Sequence, residues 1–260
     1  MKKELIKTAS IIFLVVSLTA CGKGPEPTAP PVDPGVVVIP TAQPGDPCAN
    51  EYIPVKNNTT YTYSSTGSPS GSYSFTRTIT NVRADGFSVS TKFKNQDLPQ
   101  EWSCKSEGLV PTQLGATDAT SILAFEKFTN LTAANITGFV MPPTVTPGAE
   151  WNYALDIQGT EKVQEGIPAT MTGRVAITYV AGNKESVTVP AGTFDAIAIE
   201  VSTVIDFNVV SGSNTVKLSL DSTYTVWYAP GVGWIKSNGY GKLGGQDYVE
   251  TIVLESFISQ

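Results

Sequence analysis

The residue types that most often carry out chemistry are scarce in this chain of 260 residues. It contains no histidine, which excludes a Ser-His-Asp nucleophile and any histidine-based metal site. Pairs of carboxylates could still hydrolyse glycosides. The candidates are Asp195, Glu200, Asp206, Asp221, Glu250 and Glu255. Most of them alternate with apolar residues, as on the solvated face of a sheet, so the sequence predicts no catalytic residue, no metal site, no cofactor and no enzymatic activity.

The N-terminus has the organisation of an export signal. Three lysines precede a short apolar run that ends at Leu18-Thr19-Ala20-Cys21, which is the order of a secretory signal peptide. The tetrad resembles the bacterial lipobox, whose cysteine becomes the first mature residue and carries the lipid. The resemblance implies a signal peptide over residues 1–20 and lipidation of Cys21, palmitate included. An uncleaved membrane helix is the alternative, but the run is shorter than the roughly 20 apolar residues that span a bilayer.

Residues 21–47 are predicted to form a tether that begins at the lipidated cysteine. Eight prolines lie between residues 22 and 47, and proline fixes its own φ and removes a backbone donor. Such a segment behaves as a semi-rigid spacer. We therefore expect an exported protein, anchored by lipid to the bacterial cell membrane or the outer membrane, and the sequence leaves the leaflet open.

The rest of the chain, residues 48–260, has the length of one all-β domain. The whole chain carries 17 lysines and arginines against 23 aspartates and glutamates, and it lacks the basic stripe that binds nucleic acid. An acidic surface gains nothing from anionic lipid headgroups. We expect no nucleic-acid partner, and contact with the membrane through the N-terminal lipid anchor alone.

Cysteine usage agrees with export. Of the three cysteines, Cys21 is assigned to lipid, which leaves Cys48 and Cys104 as a pair. Disulfides persist in exported proteins, so the sequence predicts a bridge between these two residues. The alternative is two buried thiols.

The clearest structural pattern is an alternation of apolar and polar residues on both sides of Ser211-Gly212-Ser213-Asn214. It runs from Ile197 to Val209 before this turn and from Val216 to Tyr228 after it. The two runs predict one long hairpin. Strands of roughly thirteen residues exceed the usual five or six and must twist and coil. A bulge that splits each run in two is the alternative.

Other segments fit the same plan. Asp85-Gly86 is a strong hairpin signal between two alternating runs. Residues 117–128 fit a short helix or two small strands equally well, because short apolar runs are ambiguous. The predicted fold is therefore all-β: a single curved antiparallel sheet, a half-barrel or a barrel, with at most one short helix.

Two segments carry a family resemblance. Val189-Pro190-Ala191-Gly192-Thr193-Phe194-Asp195 and Trp227-Tyr228-Ala229-Pro230-Gly231-Val232-Gly233 resemble the signature segments of an uncharacterised bacterial family of exported, β-rich domains. The resemblance covers roughly residues 48–258. It implies curved antiparallel sheets, distantly similar to the half-barrels of lipoprotein carriers, with an apolar concave face. It implies almost nothing about chemistry.

Three aromatic residues near the second of these segments are the candidate ligand contacts. Trp227, Tyr228 and Trp234 flank a predicted tight turn at Gly231 and Gly233. Turns demand proline and glycine for backbone reasons, so an aromatic-clasped turn is one interpretation. The other is a binding rim, since tryptophan and tyrosine offer a wide apolar face with one polar handle.

Two functional hypotheses follow for a membrane-anchored lipoprotein of the cell envelope. In the first, the concave face of the sheet binds an apolar or lipid-like ligand, as curved sheets of long strands commonly do. In the second, the protein is structural or contacts other envelope components, and its own side chains fill the core. The residues that would fill it are Phe75, Phe87, Phe93, Ile199, Ile205, Phe207, Leu218 and Leu220.

Overall fold

The structure, a computed structural model, describes residues 48–68, 71–94, 96–113, 115, 128–161, 168–243 and 246–259, and among them it contains twelve strands and no helix. Residues 1–47 lie outside the described residues, and with them the predicted signal peptide, lipidation site and tether. Residues 116–127 also lie outside, so the choice between helix and strands stays open there; Phe128 begins a strand. Within the described residues, no helix reaches the length and hydropathy needed to cross a bilayer.

The strands follow one another along the chain with mostly short connections. They are β1 (Thr60–Thr66), β2 (Tyr73–Arg83), β3 (Gly86–Phe93), β4 (Gln96–Lys105), β5 (Gly108–Pro111), β6 (Phe128–Gly138), β7 (Glu150–Glu161), β8 (Thr170–Val189), β9 (Gly192–Ser211), β10 (Asn214–Ala229), β11 (Gly233–Leu243) and β12 (Gln246–Ile258). All of them belong to one sheet with the order β5-β4-β3-β2-β1-β12-β11-β10-β9-β8-β7-β6. Every strand pairs antiparallel with its neighbours, which confirms the predicted fold class.

The two ends of this sheet meet and nearly close it into a barrel. The backbone N–H of Leu109 in β5 donates to the carbonyl of Met141, just after β6, at 2.8 Å. The N–H of Val140 donates in turn to the carbonyl of Leu109 at 2.9 Å. This contact covers the part of the exposed strand edge that lies around Leu109 and Met141.

The hairpin of β9 and β10 is the longest paired unit. Ser211 pairs with Asn214 across a two-residue turn in which Gly212 has a φ of 58°, a conformation that glycine adopts at no steric cost. The register then continues without a shift to the pair of Tyr228 and Ile197. The predicted hairpin is confirmed, and the alternative of a bulge within it is wrong.

The antiparallel arrangement gives the barrel two distinct ends. We call the end with the β9–β10 turn the rim, and the opposite end, where β1 begins and β10 ends, the base. Residues 48–59 cross the base. The side chain of Asn50 donates to the carbonyl of Pro142 at 2.8 Å, and the N–H of Gly231 donates to the carbonyl of Glu51 at 2.8 Å. These bonds tie the entering segment to two separate connections of the sheet.

A disulfide between Cys48 and Cys104 fixes the same segment to β4. The two residues are 56 positions apart, and their Cα atoms lie 4.9 Å apart, within the usual range for a bridge. The N–H of Cys104 also donates to the carbonyl of Asp85 in the β2–β3 turn at 2.8 Å. The predicted pairing is therefore present, and it lies at the base.

Candidate ligand-binding cavity

The barrel encloses a cavity of about 640 Å³. Its lining is mostly apolar and comes from strands that face each other across the barrel. Volumes between about 300 and 1,000 Å³ with mainly apolar walls and a few polar groups are typical of small-molecule sites. The cavity therefore has the size and character of a ligand site.

The inner face of the β9–β10 hairpin forms one wall. Residues two apart along each strand point to the same side, and the pairs Val209 with Val216 and Phe207 with Leu218 both line the cavity. Near the rim this wall is open to solvent, because Val216 is 55% exposed and Leu218 is 44% exposed. Apolar side chains left exposed together mark an interaction surface more often than chance.

The opposite wall is formed by β1 to β4. Ile79, Val89 and Gln100 are paired across β2, β3 and β4, and all three line the cavity. The amide of Gln100 is satisfied locally, since its oxygen accepts from the indole N–H of Trp102 at 2.9 Å and its nitrogen donates to the carbonyl of Gln113 at 3.1 Å. This part of the wall thus offers apolar surface and a polar group that is already bonded.

Arg77 interrupts the apolar wall. It lies on the inner face of β2 between Phe75 and Ile79, opposite Tyr61 of β1, and it is half-buried. Its Nε is buried, and among the described residues it has neither a hydrogen-bond acceptor nor a carboxylate that forms an ion pair with the guanidinium. The guanidinium carbon lies 5.8 Å from the ring centroid of Trp234, within the range of a cation–π contact.

The aromatic side chains around Arg77 are fixed by hydrogen bonding and ring stacking near the base. Tyr63 donates its hydroxyl to the carbonyl of Trp234 at 2.9 Å, and the two rings stack with centroids 4.4 Å apart. The indole Nε1 of Trp234 is buried and has no acceptor among the described residues. Burial raises the pKa of Tyr61 to about 12, an effect that the nearby charge of Arg77 partly offsets. Burial likewise raises the pKa of Tyr228, again against the charge of Arg77.

The structure separates the three predicted ligand contacts. Tyr228 and Trp234 are paired across β10 and β11 and both line the cavity. Trp227 lies on the outer face, where its indole N–H donates to the carboxylate of Glu185 and the Nζ of Lys236 lies 5.0 Å from its ring centroid. The ligand role of all three stays a prediction, but only Tyr228 and Trp234 could meet a molecule inside the barrel.

The connection between β10 and β11 is the predicted tight turn. Gly231 and Gly233 have φ values of 70° and 108°, which only glycine adopts without strain. A Cβ on Gly233 would lie 3.6 Å from Pro54 and 3.7 Å from the hydroxyl of Tyr61. The turn thus packs against the segment that crosses the base.

One of the six candidate carboxylates departs from the expected solvated pattern. Glu250 is fully buried and accepts hydrogen bonds from the hydroxyls of Ser65 and Tyr73, each at 2.7 Å. The other five are exposed. The described residues contain no group of three or more potential metal ligands. Glu250 is therefore part of a bonded polar cluster inside the barrel.

Sequence reasoning missed Arg77, although a signal was present. Tyr73, Phe75 and Ile79 alternate with polar residues, and Arg77 occupies the position in this series where an apolar residue is expected. A single cation at an inward position of an otherwise apolar strand is the pattern that would have identified it. The burial of Glu250 had a comparable signal, because it falls in phase with Ile252 and Leu254.

A sequence model of the DUF3108-like family matches residues 118–247, which is half of the chain. The chain belongs to the DUF3108-like family. Among the described residues, the DUF3108-like segment holds β6 to β11 and therefore the long β9–β10 hairpin. Arg77 and the disulfide lie outside it.

Two solved bacterial structures are similar to this chain. A proposed lipoprotein from Parabacteroides distasonis ATCC 8503 is 15% identical with a TM-score of 0.50, over 80% of this chain and 99% of the other. A proposed exported protein with a YmcC-like fold from Bacteroides fragilis NCTC 9343 is 13% identical with a TM-score of 0.46, over 81% of this chain and 100% of the other. At such identities the Parabacteroides likeness shows the fold alone. No curated protein matches the chain.

Proposed function

We propose that this protein is a non-enzymatic, membrane-anchored lipoprotein of the bacterial cell envelope that binds an apolar or lipid-like ligand inside its barrel. The observation that carries the proposal is the cavity of about 640 Å³, whose apolar wall reaches the rim. An apolar molecule that moves from water into such a cavity removes its own surface and that of the wall from solvent. Binding at this site therefore needs no catalytic group.

The distribution of burial favours a ligand over a core filled by the protein itself. Of the eight residues that would fill the interior, Phe75, Phe87, Phe93 and Ile199 are buried. Leu218, by contrast, is 44% exposed although it points into the cavity. A core filled by its own side chains would bury all of them to native packing density.

The second part of the proposal is a lipid anchor at the N-terminus. Cys21 would carry the lipid, palmitate included, after removal of residues 1–20, and residues 21–47 would tether the domain of residues 48–260. The disulfide supports export, because disulfides persist in oxidising compartments. The description of the Parabacteroides neighbour as a proposed lipoprotein points in the same direction.

Ligand binding is tested on residues 22–260, the exported chain without its lipid. This form is secreted through a signal peptide that does not direct lipidation. This form retains every residue that the structure describes. Native mass spectrometry of protein purified without detergent should detect a copurifying molecule that organic solvent extracts. A protein that is consistently ligand-free and takes up no neutral apolar probe, such as N-phenyl-1-naphthylamine, would contradict the proposal.

The anchor is tested separately on the full chain. Cells fed an alkyne analogue of palmitate should incorporate it into the wild-type protein and not into Cys21→Ser. Cys48→Ser removes a different cysteine and serves as the matched control, which should keep the label. Label retained by Cys21→Ser would show that the lipid, if any, is attached elsewhere.

A further inference from the structure

Arg77 places a positive charge in the otherwise mostly apolar wall of the cavity. Among the described lining residues it is the only cation, and Glu161, at the end of β7, is the only carboxylate. We propose that the cavity binds an alkyl carboxylate and that the guanidinium of Arg77 receives its head group. This inference rests on the proposed function and adds the chemical class of the ligand.

An unpaired buried charge such as that of Arg77 is energetically costly. Arginine stays protonated in proteins, and a charge that is removed from water is costly unless an opposite charge or hydrogen bonds compensate it. Within the described ranges, the buried Nε of Arg77 has no acceptor and its guanidinium has no paired carboxylate. An anionic ligand would supply the missing acceptor.

A second donor lies beside the first. The indole Nε1 of Trp234 is also buried and finds no acceptor in the described part of the chain, and the ring of Trp234 lies 5.8 Å from the guanidinium carbon of Arg77. Buried N–H groups are nearly always paired in native proteins. Two neighbouring unpaired donors on the wall of one cavity indicate an oxygen-bearing group of the ligand at this position.

The charge balance of the lining favours a monoanionic head group. A single arginine matches a monoanion, and a carboxylate can accept two parallel N–H bonds from one guanidinium. A phosphate monoester carries about −1.5 to −2 at neutral pH and would need a second cation, which the described lining does not provide. The apolar wall of the β9–β10 hairpin would take the alkyl chain, and its lining residues nearest the rim are Val209 and Val216.

The experiment measures displacement of N-phenyl-1-naphthylamine from residues 22–260 by dodecanoate and by dodecan-1-ol. These ligands have the same chain length and differ in head charge. We expect dodecanoate to bind at least about tenfold more tightly, as a hydrogen bond to a charged group implies. In Arg77→Met the ratio of the two affinities should fall to about one, because dodecanoate loses its partner charge. Trp234→Phe should lower the preference several-fold.

Arg174→Met is the matched control. Arg174 is an arginine on the outer face of β8, paired with Asp156 at 2.8 Å, so its loss changes net charge equally and should leave the preference intact. Equal affinities of the two ligands for the wild-type protein would overturn the head-group inference but leave the proposed function standing. If neither ligand displaces the probe, or the probe itself does not bind, the proposed function fails with it. A preference that Arg77→Met retains in full would overturn the assignment to Arg77. Equal wild-type affinities overturn it without any variant, so the test does not depend on a variant that folds.

Discussion

The two ends of the β9–β10 hairpin carry the same alternation of residues in different surroundings. At the base, Ile197 and Ile199 are 0% and 1% exposed. Near the rim, Val216 and Leu218 point to the same interior but are 55% and 44% exposed. Inward-pointing apolar residues of the same hairpin therefore form a sealed core at the base and an accessible apolar surface at the rim.

Strand length and cross-links explain the contrast. β9 has 20 residues whereas β1 has 7, so at about 3.3 Å per residue the β9 wall extends far beyond the β1 wall. At the base, the segment of residues 48–59 and the disulfide cover the interior. We infer that the base supplies most of the stability and that the rim admits the ligand, since binding elements are usually drawn from the less stable parts of a fold.

The largest effect is expected from opening the base. Replacing both Cys48 and Cys104 with serine should lower the free energy of unfolding by about 4 kcal/mol, as the chain-entropy relation gives for a loop of this length. Urea denaturation followed by tryptophan fluorescence measures the loss. Wild-type protein treated with a reductant is the control and should match the variant. A loss below about 1 kcal/mol would mean that the bridge does not hold the base.

A buried apolar residue at the base should come next. Ile199→Ala should cost about 3 kcal/mol, because it removes buried methyl groups and leaves a cavity. The same denaturation measurement applies. A cost as small as that of a surface substitution would show that the base is not sealed as the structure indicates.

Part of the barrel wall toward the rim is closed by the buried Glu250 and its hydrogen bonds. Substitution of Glu250 measures how much this closed part contributes to stability. Glu250→Ala should cost about 2 kcal/mol, since it leaves the hydroxyls of Ser65 and Tyr73 without their acceptor. Glu255→Ala is the matched control: Glu255 accepts from the neighbouring Ser64 on the exposed face, so its loss should change stability by less than about 0.5 kcal/mol. Thermal denaturation of the two variants side by side gives the difference. Equal costs would remove the distinction between inner and outer carboxylates.

The smallest effect on stability is expected at the rim. Leu218→Ala should cost less than about 1 kcal/mol, because much of the side chain is already in water. Its affinity for N-phenyl-1-naphthylamine should nevertheless fall, whereas Ile199→Ala molecules that remain folded should bind the probe. Fluorescence titration of both variants checks this reversal. A stability loss at Leu218 equal to that at Ile199 would erase the contrast between the two ends.

Local patterns predicted local structure well. Alternation and turn residues identified the β9–β10 hairpin, and the even number of remaining cysteines identified the disulfide. Alternation also places Trp227 and Tyr228 on opposite faces, but the candidate site grouped them by their distance from a turn. The structure puts Trp227 outside and Tyr228 inside.

Long-range relations were beyond such patterns. Closure depends on the contact of Leu109 with Met141, and neither residue signals it. The cavity depends on which inward-pointing residues face each other across the barrel. The role proposed for Arg77 depends on its contact with Trp234, which is far away in sequence. Alternation fixes which face a residue occupies, but the burial of that face depends on the height of the walls around it.

Crystallography of residues 22–260 with 12-bromododecanoate would show where a bound alkyl carboxylate lies in the barrel. Anomalous scattering would locate the bromine at the end of the alkyl chain, and the density would locate the carboxylate. We expect the carboxylate at Arg77 and Trp234, and the bromine inside the barrel on the apolar lining between them and the rim. Bromine found only on the outer surface, with the cavity occupied by rearranged protein side chains, would contradict this expectation.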